Sequence, residues 1–275
     1  MNYVCLNGNI VSADQPLLTA NNRGYRYGDG LFETLKIKNN RIVFEKWHFE
    51  RLLNGLQLID LPLPPAINAA KLASDIFQLC ERNDCSQSAR VRLSVNRGNG
   101  LIAGPNQPQY IIECETLHNE DWNEHGYAID VYRAAKKSCD QFSNLKSANY
   151  LPYVMAARFA KDRQLHDALV MNMYERIADS SIANVFIVKG KKLFTPALAE
   201  GCVAGITRRW VIKKFGAIET SLIVEDILTA DEIFLTNAIK GIRQVGQFSD
   251  KFYDTKVSKT IHEKLWDEIE SGVEV

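Results

Sequence analysis

The first third of the chain carries apolar residues in short runs separated by turn formers. YVCLNG, NIVSA and LFETLKIKNNRIVF read as strands. Within the third run, Asn39 and Asn40 predict a hairpin turn, because asparagine tolerates the left-handed backbone that tight turns need. From Glu45 to about Ile59 the pattern changes: Trp47, Phe49, Leu52, Leu53, Leu56 and Ile59 recur mostly at steps of three and four, which lines them along one face of a helix. The run LPLPP ends it, since proline does not fit a helix interior. A second helix is predicted over about Ala66 to Arg82, followed by strands in ARVRLSVNRG and QYIIECE.

Residues 116–126, TLHNEDWNEHG, are polar and acidic with no apolar period, and read as a connector between a small domain at 1–115 and a larger one at 127–275. The larger domain opens with the strand YAIDVYRAA and passes through a helix from about Asn149 to Arg163. It continues in the strand segments DALVMNM, ANVFIVKGKKLFTP and DEIFLTN, with helices near Ile206 to Phe215 and Ser258 to Glu270. The fold class is α+β.

Lysine plus arginine and aspartate plus glutamate both number 33, so no global field recruits nucleic acid or an anionic membrane, and a small-molecule partner is favoured. MNYVCLNGNIV has no basic stretch followed by an apolar run, and no apolar window approaches the roughly 18 residues of a membrane span. The expectation is a cytoplasmic chain with no membrane partner. Cys5, Cys80, Cys85, Cys114, Cys139 and Cys202 are scattered and read as reduced thiols. Cys80 and Cys85 lie closest but lack a second Cys or His pair at zinc spacing, so no metal is expected. YGDG and RGNG match neither a dinucleotide fingerprint nor a P-loop.

Several segments carry candidate chemistry. A lysine reacts with carbonyls only when part of it is unprotonated, which requires burial or a cationic neighbour. Lys146 stands between a short strand-like approach and a predicted helix start, flanked by Leu145, Ser147, Ala148 and Tyr150; the plainer alternative is a solvated lysine. Asp179 precedes small residues and an apolar strand, so its carboxylate either meets a cationic partner or caps a turn at Ser180 and Ser181. Gly205, Ile206 and Thr207 enter an amphipathic helix, where backbone N–H groups either receive an anion or are simply capped. Thr236 and Asn237 end a strand and could add to an anion site, and Arg51 could neutralise it. Arg92 and Arg97 are candidate carboxylate binders, although five positions apart they face opposite sides of a regular strand.

These segments together resemble the class-IV aminotransferase family, the fold-type-IV pyridoxal-phosphate enzymes that include branched-chain and D-amino-acid aminotransferases and aminodeoxychorismate lyases. The landmarks occur in family order: RGYRYGDGLFET at 23–34, HFERL at 48–52, LKSANYL at 145–151, ADSSIANVF at 178–186, LFTP at 193–196, GITR at 205–208 and DEIFLTNAIKGIRQV at 231–245. The resemblance implies a small N-terminal α/β sandwich, a larger β-barrel-like C-terminal domain carrying the reactive lysine, and a homodimer. It also implies that Lys146 is the Schiff-base anchor and catalytic base, and that Arg51, Ile206, Thr207, Thr236 and Asn237 hold the phosphate. Asp179 takes the place of a glutamate that faces the pyridine nitrogen in the family.

Within the family, Asn149 lies three residues after Lys146 rather than the four of branched-chain aminotransferases. RGNGLIAGP lacks the Arg-x-His carboxylate trap of D-amino-acid aminotransferases, and Asn237-Ala238 is similar to the lyases. The resemblance therefore ranks a 4-amino-4-deoxychorismate lyase, releasing pyruvate and 4-aminobenzoate, ahead of an amino-acid aminotransferase. The shorter acid at Asp179 leaves a catalytically silent cofactor-binding protein as a competing reading.

Overall fold

The computed structural model describes residues 2–118 and 122–272, which form two units: residues 2–118 with Lys146–Asn149, and residues 122–145 with 150–272. The first contains β1 (Tyr3–Leu6), β2 (Asn9–Ser12), α1 (Arg23–Tyr27), β3 (Gly30–Lys38), β4 (Arg41–Ile42), α2 (Glu45–Leu58), α3 (Ala69–Arg82), β5 (Ser88–Asn96) and β6 (Gln109–Thr116). Its strands form one antiparallel sheet in the order β2-β1-β6-β5-β3-β4. Asn39 and Asn40 both have positive φ in the β3–β4 turn, as their residue type predicts. On β5 the alternate residues Ala89, Val91, Leu93 and Val95 are buried, and α2 and α3 contribute Leu52, Leu56, Leu72 and Ile76. Burying each such aliphatic side chain contributes roughly 1.5–3 kcal/mol.

Two helix starts differ from the periodicity. α3 begins at Ala69, not Ala66, because the Asn68 side chain caps it by accepting from Lys71 N at 3.1 Å. α4 (Leu151–Asp162) begins two residues late because the preceding backbone is used elsewhere: Ala148 N donates to Gly30 O at 3.0 Å and Phe32 N to Lys146 O at 2.9 Å. Sequence order assigns Lys146 to the C-terminal domain, but these hydrogen bonds make Lys146–Asn149 part of the first unit.

The second unit contains β7 (Tyr127–Lys137), α4, β8 (Asp167–Asn172), β9 (Ile177–Ser180), β10 (Asn184–Lys189), β11 (Lys192–Pro196), α5 (Ile206–Phe215), β12 (Ile218–Thr220), α6 (Val224–Thr229), β13 (Glu232–Asn237), β14 (Gly241–Phe248), β15 (Lys251–Phe252) and α7 (Lys256–Ser271). Its mixed sheet runs β12-β11-β10-β13-β14-β7-β8-β9, with β15 on β14. β9 also approaches β10 and β11, so the sheet curls into a half-barrel. Leu169 and Met171 of β8 pack into the core with Ile129, Val185 and Ile233, while Ala168 and Val170 face Tyr153, Ala156 and Ala160 of α4. Among the described residues no helix is long and apolar enough to cross a membrane.

One buried acid ties helix to sheet in the first unit. Glu33, on β3, accepts from Arg51 Nε at 2.7 Å and Arg51 Nη2 at 2.5 Å, and meets His48 Nδ1 at 2.7 Å, both partners lying on α2. Burial pushes the Glu33 carboxyl up, but Arg51 and His48 outweigh it and hold it down at about 2. A folded value below the ordinary 4.5 means that this contribution to stability is complete above pH 4.5 and is lost as pH falls toward 2. Glu33→Gln is expected to cost about 3–5 kcal/mol at neutral pH, by leaving two buried donors without their carboxylate. It should also flatten the acid limb of stability. Urea midpoints measured against pH check both, and an unchanged acid limb would contradict this account.

Candidate active site

Lys146 is half-buried, and its neighbours are fixed by pairing with β3, Leu31 standing opposite Ser147. With its backbone held on both sides, the flexible four-carbon stem supplies its freedom. Its Nζ lies 4.6 Å from the centre of the Phe32 ring, and the Arg92 guanidinium lies 3.8 Å from the same centre. A buried aromatic ring thus has two basic side chains against it. Burial lowers the His48 pKa against the opposing pull of Glu33, and the charges of Arg51 and Lys146 reinforce the lowering. Arg51, His48, Glu33 and Lys146 therefore belong to one electrostatic neighbourhood. Glu33 and Arg51 form a fork-to-fork pair that sets the direction of the guanidinium.

The two candidate carboxylate binders separate. Arg92 donates through Nε to Ser94 Oγ at 3.2 Å and stays against the Phe32 ring. Arg97 clamps loops together. Its Nε donates to both Asp29 oxygens at 2.9 and 3.0 Å, Nη1 to Asp60 O and Asn106 Oδ1 at 2.7 Å, and Nη2 to Ile59 O at 2.6 Å. With its donors spent on three loop segments, it has little left for a substrate.

In the second unit Asp179 stands on β9 opposite Val170, whose side chain packs against α4. Its Oδ2 accepts from Tyr153 Oη at 2.6 Å, Val203 N at 3.0 Å and Lys137 Nζ at 3.3 Å. Its Oδ1 accepts from Asn184 Nδ2 at 2.8 Å. Oδ1, with one protein donor, retains room for another. The turn that Asp179 could have capped is held by Asp167 instead. Asp167 accepts from Ser180 Oγ at 2.7 Å, Ser181 Oγ at 2.6 Å and Ser181 N at 3.0 Å. Burial raises the Asp167 pKa against these hydrogen bonds.

Asn184 links the acid to the anion end of this unit. Its Nδ2 bonds Asp179 and, at 2.8 Å, Val203 O; its backbone pairs with Thr236; and a Cβ on Gly205 would run into its side-chain oxygen. Glycine at 205 is thus required by a close approach. Gly205 is also the N-cap of α5 and provides no side-chain cap, and Ile206 and Thr207 follow it, both buried. Thr236 is 1% exposed, and its Oγ1 has no hydrogen-bond partner. A buried unpartnered hydroxyl beside an uncapped helix N-terminus fits a phosphate group. Asn237 instead shapes the β13–β14 turn, its Oδ1 accepting from Ile239 N at 3.0 Å and Lys240 N at 2.7 Å.

Sequence reasoning missed Glu33, His48, Lys137, Tyr153 and Asn184. Glu33 and His48 had a readable signal: both lie inside quoted motifs, and Glu33 is an acid between Leu31 and Leu35 on a strand face. Lys137 had none, since beside Lys136 it reads as an exposed charge pair.

The pattern of the amino-transferase class IV family matches residues 30–248. The aminodeoxychorismate lyase of Bacillus subtilis is 27% identical over 248 residues, covering 86% of this chain and 83% of that protein. The D-alanine aminotransferase of Listeria monocytogenes is also 27% identical, over 85% of this chain and 83% of its own. The branched-chain aminotransferase of Thermoproteus uzoniensis, solved with norvaline, superposes with a TM-score of 0.88 at 23% identity, over 98% of this chain and 95% of that one. With the match spanning most of its length, the chain belongs to the class IV aminotransferases, a family of pyridoxal-phosphate-dependent enzymes.

Proposed function

We propose that this enzyme acts on an amino-bearing carboxylic acid through Lys146, and that its reaction is that of a 4-amino-4-deoxychorismate lyase, releasing pyruvate and 4-aminobenzoate. The observation that carries the reading is that Lys146 and Arg92 both lie at the Phe32 ring; in this reading the first reacts with the substrate amine and the second binds its carboxylate. Bound pyridoxal phosphate supplies a carbonyl for the substrate amine and a ring that accepts electrons. In the second unit the α5 N-terminus at Ile206 and Thr207, and Thr236, are the groups suited to its phosphate, with Asn237 shaping the adjacent turn; the family resemblance assigns Arg51 to the same role. Asp179, through Oδ1, is suited to its ring nitrogen, and Lys137, Tyr153 and Asn184 keep that carboxylate oriented.

In this reading Lys146 Nζ is the base that takes the proton from the substrate carbon bearing nitrogen. In a lyase that proton loss leads to departure of pyruvate and an aromatic ring; in a transaminase the proton is returned elsewhere and a keto acid leaves. Asn237-Ala238 after β13 is the lyase-like feature, while Asn149 three residues after Lys146 argues against a branched-chain aminotransferase and the 97–105 loop lacks the Arg-x-His of the D-amino-acid enzymes as well as a lyase-like glycine-arginine pair. The second reading, an amino-acid aminotransferase, is favoured by relatives of that activity at the same 27% identity. The working form in this reading is a cytoplasmic homodimer, and the exposed Tyr25, Leu101 and Ile102 provide apolar surface for subunits to cover.

Purified enzyme given 4-amino-4-deoxychorismate should release pyruvate, detected by coupled reduction to lactate, and Lys146→Ala should lower the rate by at least about 10³-fold. Conversion of D- or L-amino acids with a keto acid, without pyruvate from the chorismate derivative, would replace the lyase by a transaminase. Normal turnover by the Lys146 variant would remove the proposed role of that residue. Thr236→Val, nearly isosteric, should weaken pyridoxal-phosphate binding by about tenfold, the loss of one hydrogen bond to a charged group. Fluorescence titration of the apoenzyme measures this, and unchanged affinity would take Thr236 out of the phosphate site.

A further inference from the structure

Away from these residues, the first unit gathers three cysteines that the sequence separates. Cys80 lies in the last turn of α3, Cys85 follows the helix, and Cys114 comes from β6, 29 residues further on. The chain turns back sharply after α3: Asn83 N donates to Leu79 O at 3.0 Å, Asp84 adopts a positive φ of 55°, and Cys85 N donates to Cys80 O at 2.9 Å. That turn delivers Cys85 to the helix end from which Cys80 projects. The three Sγ atoms lie within 4.8 Å of one another, and Cys85 and Cys114 are 3.5 Å apart. All three residues are at most 3% exposed.

The Asn83 amide presents a donor to the cluster, to Cys114 Sγ at 3.2 Å, while its other bonds, to the backbone of Asn2 and Tyr3, fix its orientation. Among the described residues no histidine or carboxylate completes the set. Three sulfurs without a fourth side-chain ligand differ from the four-coordinate arrangement of structural zinc, whereas thiolates alone select soft d¹⁰ cations.

We propose that Cys80, Cys85 and Cys114 form a three-thiolate binding site for a soft d¹⁰ cation, copper(I) in the first instance, separate from the residues that handle the amino substrate. Each thiol that joins the metal releases its proton to solvent, and no electron is transferred. Affinity should therefore fall as pH is lowered.

The test uses the full-length reduced protein, carrying its cofactor, titrated anaerobically with copper(I) and separately with zinc(II). The expected result is one copper(I) per chain, a sulfur-to-metal charge-transfer band in the ultraviolet, and, relative to the metal-free protein, a slowing of alkylation confined to Cys80, Cys85 and Cys114 as mapped by mass spectrometry. Cys114→Ser should weaken binding at least tenfold while leaving cofactor loading intact, and Cys139→Ser should leave copper binding unchanged. Should Cys114→Ser fail to fold, the alkylation map of the unmodified protein decides. Protection of other cysteines, binding of zinc(II) but not copper(I), or copper affinity unchanged in a folded Cys114→Ser protein would overturn the proposal.

Discussion

A carboxylate taken out of water must be met by donors, and this constraint organises both units. Isolated burial of such a charge is prohibitive, so each buried acid here fixes the positions of the groups around it. Glu33 draws Arg51 and His48 from α2 onto β3. Asp167 takes the two serines and one backbone amide of the 180–181 turn. Because Asp167 serves that turn, Asp179 is left to Tyr153, Lys137, Asn184 and the Val203 amide. The chemistry-bearing side chains are thus oriented by electrostatic necessity rather than by apolar packing.

The same constraint explains the consequence of an aspartate where the family has a glutamate. A shorter acid reaches less far, and here it is enclosed by four donors from four different segments, one of them cationic. Those donors hold the carboxylate in one orientation and leave its Oδ1 the less engaged oxygen. In the proposed function that oxygen would meet the cofactor's ring nitrogen, with Lys137 sharing the same carboxylate.

Much of the fold was legible because its periods are plain. The α2 stripe from Trp47 to Leu56 and the alternation of β5 both correspond to observed elements, and Asn39-Asn40 makes the turn its chemistry dictates. The start of α4 was not legible, since nothing local in LKSANYL says that Lys146–Ala148 will pair with a strand more than a hundred residues earlier. Residues 205–207 and Thr236 were readable as a helix entry and a strand end. Their meeting through Asn184 is a tertiary fact that no spacing encodes. The partners of Arg97 were hidden for the same reason: Asp29, Ile59, Asp60 and Asn106 come from loops whose convergence depends on the fold.

The account rests on Lys146 as the residue that carries the cofactor. Borohydride reduction of the cofactor-loaded enzyme, followed by proteolysis and mass spectrometry, fixes pyridoxyl phosphate to whichever lysine holds it. One label per chain on the peptide containing Lys146 is the predicted result. A label on Lys137 instead, or a loaded enzyme with no labelled lysine, would contradict it.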